Sequence, residues 1–139
     1  MGVIVKKMKL QSLLILIGIF YSLTACQNRF KKVADYTTYH SEIIRAEELI
    51  GQEKYEEALD QYEKLFNTYE FIFLRDYKVA SQVSFRVEAR EKGLLYIKKA
   101  ISGGWELKDL KEQKYLRKKL RDTEWEDIEN QYRDLRSLF

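Results

Sequence analysis

No proline interrupts any of the 139 residues of this chain, and this absence constrains the fold more than any other feature. Proline is the strongest helix breaker, and the frequent Glu, Lys, Leu, Arg and Gln residues favour helices. From Thr38 onward, apolar or small side chains recur every three or four residues, the spacing of one helix face. The sequence therefore predicts an all-α body of five or six short helices. Its stripes are Tyr39, Ile43, Ala46 and Ile50; Tyr55, Ala58, Tyr62, Leu65 and Tyr69; Phe73, Tyr77, Ala80, Ser84 and Val87; Gly93, Ile97 and Ala100; and Trp125, Ile128, Tyr132, Leu135 and Phe139.

Local signals mark several ends of these helices. Gly51 suits a left-handed helix end, and the pair at 103–104 ends another helix. Thr123 with Glu126 three residues later fits a capping box, with Asp122 as the competing cap. The one β-like patch, residues 71–74, is too short and isolated to predict a sheet.

The first 26 residues have the pattern of a secretory signal. Three lysines (positions 6, 7 and 9) precede an apolar run at 13–21, and small residues lead to Cys26, the only cysteine. An uncleaved transmembrane helix is the alternative, although a span needs about 20 apolar residues. A buried thiol is the other reading of a lone cysteine. We favour a cleaved signal over residues 1–25.

Leu23-Thr24-Ala25-Cys26 resembles the lipobox of bacterial lipoproteins. The resemblance implies cleavage between Ala25 and Cys26, a diacylglyceryl group on the Cys26 sulfur and usually an acylated new amino terminus. Two or three acyl chains are enough for stable anchoring. We therefore expect a lipidated, flexible leash at 26–37 and a helical domain at 38–139. Because Gln27 is not the aspartate associated with inner-membrane retention, the resemblance favours an outer-membrane protein facing the periplasm.

The charge balance argues against a nucleic-acid partner, and the scarcity of cysteine and histidine argues against a metal site. Without the three signal lysines, the 25 basic residues fall to 22, which equals the 22 acidic residues. The mature chain is then neutral, and we predict no nucleic-acid partner. With Cys26 lipidated and His40 the single histidine, we predict no metal, no cofactor and no catalytic residues, since Cys/His sites need several converging ligands. We expect His40 to be a surface or capping residue.

Residues 52–65 are similar to the second helix of a tetratricopeptide repeat, with Tyr55, Ala58, Tyr62 and Leu65 at the packing positions. The likeness extends over about 38–128 and implies a short right-handed array of two helical hairpins with a C-terminal capping helix. The chain departs from the family pattern in three ways. It lacks the prolines that often end such repeats, it has Gly93 in place of alanine, and it has Ser84 where an aromatic residue is common. Two repeats are near the minimum for a continuous core, so we expect modest stability, or stabilisation by a partner or by a second copy in a homo-oligomer. The second repeat places Tyr77, Ala80 and Ser81 on its first helix and Gly93, Ile97 and Ala100 on its second, and the closing segment contains Gly104, Trp105, Leu110, Leu116, Leu120 and Trp125.

In such an array the first helices form a concave side that takes peptides. The resemblance assigns the partner-binding positions of the second repeat to Arg75, Lys78, Gln82, Phe85 and Arg86. This mostly basic set suits an acidic or carboxylate-terminated segment, because arginine forks match carboxylates. A plain solvated helix face is the alternative.

Two other charged clusters have a functional and a structural interpretation. The acidic residues at 56, 57, 60 and 63 alternate with lysines, and a solvated face is favoured over acid–base chemistry. The basic run at 111–121 is either a solvated helix or a docking patch for anionic lipid headgroups, formed by Lys111, Lys114, Lys118 and Arg121.

We therefore predict a membrane-anchored, non-enzymatic adaptor that holds a protein or peptide partner. An inhibitor or immunity-type lipoprotein that caps a toxin or enzyme is the alternative. A two-carboxylate hydrolase of envelope glycans is a third possibility; it requires a cleft with paired carboxyl groups, one with a raised pKa.

Overall fold

The computed structural model describes residues 31–33 and 35–138. The predicted signal, the cleavage site and Cys26 lie outside this range, as do residues 27–30 and 34 of the predicted leash. The helices are α1 (Tyr36–Gly51), α2 (Tyr55–Thr68), α3 (Leu74–Arg86), α4 (Arg90–Ser102), α5 (Leu107–Glu112), α6 (Lys114–Lys119) and α7 (Asp122–Arg136). The all-α prediction is confirmed. The described part contains seven helices rather than five or six, because Gln113 is extended and divides the segment before Leu120 into two short helices.

The first four helices form two successive hairpins. α1 packs on α2 and α3 packs on α4, while α2 and α3 join the hairpins. The turns of both hairpins contain a residue in the left-handed region, Glu53 (φ 59°) in the first and Glu88 (φ 60°) in the second. The prediction of a left-handed end at Gly51 is therefore wrong, since α1 ends there but the reversal occurs two residues later. Gly104, at φ 101°, follows the end of α4 as predicted.

Polar groups set two helix starts differently from the prediction. The Asp35 carboxylate accepts a hydrogen bond of 3.1 Å from the Thr38 backbone N–H, so α1 begins at Tyr36, two residues before the predicted domain boundary. At α7 the cap is neither Thr123 nor Asp122. Arg121 precedes the helix, and its backbone N–H donates to the Glu124 carboxylate at 2.8 Å.

The core consists of two adjoining clusters of buried side chains. Small residues at their centres, Ala58, Ala80 and Ala100, are wholly buried and allow close approach of neighbouring helices. The predicted stripes and the predicted closing segment together supply most of the other members. One cluster contains Tyr39, Ile43, Tyr62, Leu65 and Phe66, and the other contains Phe85, Ile97, Trp105, Leu110, Leu116 and Ile128.

Residues 31–33, the described beginning of the domain, lie against the end of α2. Lys32 forms a parallel bridge with Tyr69, in which the Lys32 N–H donates to the Thr68 carbonyl at 2.7 Å and the Glu70 N–H donates to the Lys32 carbonyl at 3.1 Å. The Lys31 ammonium donates to the Phe66 carbonyl at 3.0 Å. This end of the predicted leash is thus attached to the helical body. The β-like patch forms no sheet, since 71–73 are an extended linker into α3.

Candidate functional site on helix α3

A stripe of polar side chains runs along the accessible side of α3. Arg75 and Arg86 are exposed at its two ends, and Lys78 and Gln82 are half-buried between them. We call these four residues the α3 stripe. They are four of the five predicted partner-binding positions, and their spacing of three or four residues keeps them on one side of the helix.

The outward placement predicted for Phe85 is wrong. Its side chain is only 3 % exposed and packs against α4, where Gly93 leaves room for the ring. A Cβ atom at Gly93 would come within 2.7 Å of the Phe85 ring. The departure from alanine at position 93 therefore has a steric cause, and the aromatic ring belongs to the core rather than to a binding surface.

Aromatic rings hold the cations of the α3 stripe. The Arg86 guanidinium carbon lies 5.0 Å from the ring centroids of both Tyr55 and Tyr115, and the Lys78 ammonium lies 4.9 Å from that of Trp105. Such cation–π contacts favour a fixed cation position without neutralising its charge. Among residues 31–33 and 35–138, no carboxylate lies within ion-pair distance of either cation. The sequence did not predict the contact of Tyr115 with Arg86, because Tyr55, Arg86 and Tyr115 come from three separate segments of the chain.

Arg75 differs from these two cations because it forms an ion pair with Glu47 of α1. The Arg75 side chain is exposed and that of Glu47 is partly exposed, so water competes for them and the pair adds little to stability. The pair nevertheless removes the unbalanced charge at this end of the stripe. The cations free to meet an acidic ligand are thus Lys78 and Arg86.

A cavity lies at each end of the α3 stripe. The one beside Arg75 has a volume of about 200 Å³ and includes Tyr36, His40 and Phe73 in its lining. The one beside Arg86 has a volume of about 380 Å³ and is lined partly by Tyr55, with carboxylates at 53, 56 and 57. An extended ligand on the stripe would therefore meet an aromatic cavity at one end and an acidic one at the other.

Asp76 forms the polar wall of the smaller cavity. Its carboxylate is 3 % exposed, and burial raises its pKa above the usual 3.8, although the hydrogen bond from the Tyr39 phenol counteracts part of this. Burial also raises the pKa of Tyr39, as does the neighbouring Asp76 carboxylate. The lining of this cavity contains a single carboxylate, that of Asp76. His40 is an exposed α1 residue, as predicted, and stacks on Tyr36 at 5.7 Å.

The two charged clusters of the sequence lie at the surface. The predicted lipid-docking residues Lys111, Lys114, Lys118 and Arg121 are all exposed, and Lys111 forms a 2.6 Å ion pair with Glu129. In the acidic cluster, Glu63 forms its ion pair with Lys92 of α4 at 2.5 Å, across the helix interface.

No protein-family model matches this chain, and neither a curated protein sequence nor a solved structure does so. In the described part, no helix has the length and apolarity needed to cross a bilayer. The same residues contain no group of three or more His, Cys, Asp or Glu side chains suited to hold a metal ion.

Proposed function

We propose that this protein is a membrane-anchored lipoprotein whose helical domain holds an extended, acidic peptide segment of a partner on the α3 stripe. The observation that carries the proposal is the contact of the Arg86 guanidinium with the rings of both Tyr55 and Tyr115, with no carboxylate ion-paired to it in the described residues. A cation held by rings and not ion-paired to any described carboxylate, although Glu53, Glu56 and Glu57 line the same cavity, is suited to a carboxylate from outside the chain. The planar guanidinium fork fits that group in a bidentate manner.

The size of the stripe indicates the length of the ligand. Arg75 and Arg86 are eleven residues apart in one helix, which corresponds to about 16 Å at the rise of an α-helix. An extended peptide covers this distance with about five residues. The acidic group would lie over Lys78 and Arg86. Because Glu53, Glu56 and Glu57 border the cavity beyond Arg86, a continuous polyacidic ligand would be repelled there.

The arrangement of helices supports the tetratricopeptide-like reading that the proposal uses. Two antiparallel hairpins follow one another, and the small residues Ala58, Ala80 and Ala100 are wholly buried, as that pattern requires. In such an array α1 and α3 are the first helices of the two hairpins. The cavity beside Arg75 has lining residues from both of these helices, which is compatible with a ligand surface on the side that the first helices share.

The anchor is tested separately from the groove. Growth with a clickable fatty acid should label the wild-type protein and leave Cys26→Ala unlabelled. Intact mass should show loss of residues 1–25 and addition of acyl groups. An unmodified, uncut wild-type chain would contradict the anchor and leave the peptide site open to its own test.

The peptide site is tested with purified full-length protein and fluorescent hexapeptides that carry acidic, neutral or basic central residues. Anisotropy should show binding of the acidic peptide alone. The double variant Lys78→Glu/Arg86→Glu should weaken it by roughly tenfold to a hundredfold, as expected for two charge-assisted contacts. Lys108→Glu/Arg117→Glu is the matched control, since it makes the same charge change at exposed residues outside the stripe. If both double variants lose the same peptide affinity, the loss comes from the change in net charge, and the proposed site is contradicted.

A further inference from the structure

An exposed apolar patch lies where the described chain begins. Val33, Tyr36, Phe71 and Phe73 are 83 %, 66 %, 62 % and 41 % exposed, respectively. They line one shallow cavity of about 170 Å³. The ring centroids of Phe71 and Phe73 are 5.1 Å apart, and those of Tyr36 and Phe73 are 6.5 Å apart. These four residues, which we call the aromatic patch, form one continuous surface and not scattered single side chains.

We infer that the aromatic patch docks into the headgroup region of the lipid bilayer that holds the protein. This inference rests on the anchor part of the proposed function. Tyrosine favours the membrane–water interface because its ring is apolar and its hydroxyl is polar, and Phe71 and Phe73 add exposed apolar area of the kind that binds at the headgroup boundary. The exposed Lys31 and Lys32 precede the patch and supply the cations that anionic headgroups attract. Glu70 is the one carboxylate in the cavity lining.

The position of the patch in the chain selects the bilayer as its occupant. Cys26 precedes Val33 by seven residues, and seven extended residues span at most about 25 Å. The headgroup region of one leaflet is roughly 6 Å thick. The lipid on Cys26 thus confines the patch to the immediate neighbourhood of the membrane surface. The bridge of Lys32 to Tyr69 further holds the residue next to Val33 on the domain itself.

Docking at the aromatic patch leaves the charged part of the α3 stripe accessible. Phe73 lies just before the first residue of α3 and Arg86 is its last, so the two ends are about 20 Å apart. The basic run of α5 and α6 is close to the Arg86 end, since Tyr115 packs on Arg86. We therefore assign the membrane-facing role to the aromatic patch rather than to the basic run, which leaves Lys78 and Arg86 clear of the lipid, while Tyr36 and Phe73 at the other end of the stripe belong to the docked surface.

The test uses full-length lipidated protein reconstituted into phosphatidylethanolamine/phosphatidylglycerol vesicles that contain brominated lipid, a quencher of tryptophan. Phe71→Trp places a probe in the patch. Leu95→Trp is the matched control, because Leu95 is also an exposed apolar residue, at 49 %, but lies on α4. We expect the added fluorescence to be quenched several-fold more strongly in Phe71→Trp. Adding Val33→Glu and Tyr36→Glu to Phe71→Trp should abolish the difference, since charge is disfavoured in the bilayer.

Equal quenching of the two probes, or quenching that the two glutamates do not change, would overturn the inference. So would dimers in detergent, detected by sedimentation, that the glutamates abolish. Such dimers would assign the aromatic patch to contact with a second copy of the chain. Circular dichroism confirms that each variant is folded. Intact mass of the same samples reports lipidation, so loss of the anchor and loss of docking are distinguished.

Discussion

The phenol of Tyr39 donates a hydrogen bond of 2.5 Å to Oδ2 of Asp76 and so joins α1 to α3 inside the protein. Both residues are almost wholly buried. The Phe73 N–H in turn donates to the same phenol oxygen at 3.3 Å, which attaches the linker between the hairpins. One hydroxyl thus connects both hairpins, beside the smaller cavity of the α3 stripe.

Removing this hydroxyl should destabilise the domain. Tyr39→Phe leaves the buried Asp76 carboxylate without its phenol donor, and we expect a loss of about 1–3 kcal/mol in the free energy of unfolding. Urea denaturation at pH 7 measures it. A double-mutant cycle with Asp76→Asn measures the coupling free energy between Tyr39 and Asp76. If the two losses simply add, the hydrogen bond does not couple the hairpins.

The raised pKa of Asp76 predicts a pH dependence of stability with a definite sign. Because the folded protein holds the Asp76 proton more tightly than the unfolded chain does, stability is lost as the pH rises from the usual 3.8 toward the raised value. Above that value the loss is constant. Urea midpoints of wild type relative to Asp76→Asn should therefore fall over this interval. A difference that does not change with pH would show that Asp76 titrates normally.

Gly93 should not tolerate a side chain. A Cβ at this position would meet the Phe85 ring at 2.7 Å, so Gly93→Ala should lower stability by roughly 1–3 kcal/mol through overpacking. Gly51→Ala is the matched control, because no atom lies within 4 Å of its added Cβ, and it should be neutral or stabilising. Adding Phe85→Leu to Gly93→Ala should recover part of the thermal midpoint. Similar losses for both glycines would exclude this steric account.

The Arg90–Glu124 pair should contribute more than the ion pairs at the surface. Arg90 Nε donates to Glu124 at 2.6 Å, a second guanidinium nitrogen donates to the other carboxylate oxygen, and both side chains are less than a third exposed. Glu124→Gln should cost about 1–2 kcal/mol. The exposed pair of Lys98 with Asp127 is the control, and Asp127→Asn should cost at most about 0.5 kcal/mol. Guanidinium chloride would mask this contrast, so urea titration is the appropriate measurement.

The same pair predicts acid sensitivity. The hydrogen bonds from Arg90 hold the pKa of Glu124 below its usual 4.5. The unfolded chain therefore binds this proton more readily, and the stabilisation present above about pH 4.5 is lost as the pH falls through the lowered value. Thermal melts from pH 6 to pH 3 should show a smaller decline in Glu124→Gln than in wild type. Parallel declines would assign the acid sensitivity to other carboxylates.

Helical periodicity was enough to predict the all-α class, because the residues that recur on each stripe are those that pack between helices, such as Ala58, Tyr62 and Ile97. It could not predict the surroundings of Phe85 and Arg86. Adjacent residues near a helix end differ by about 100° in direction, and which of them enters the core is decided by the gap at Gly93. The contacts of Arg86 with Tyr55 and Tyr115, and that of Arg90 with Glu124, join distant segments of the chain. No local pattern reports such contacts.

If Cys26 carries the proposed lipid, the bridge between Lys32 and Tyr69 limits how far the domain can move from the membrane. If the chain were free up to Tyr36, ten residues from Cys26 would allow a radius of about 35 Å, whereas attachment at Lys32 reduces it to about 21 Å. The accessible volume shrinks roughly fivefold, and the effective concentration of the domain at the lipid surface rises in proportion. Two backbone hydrogen bonds would thereby shorten the reach of the proposed tether.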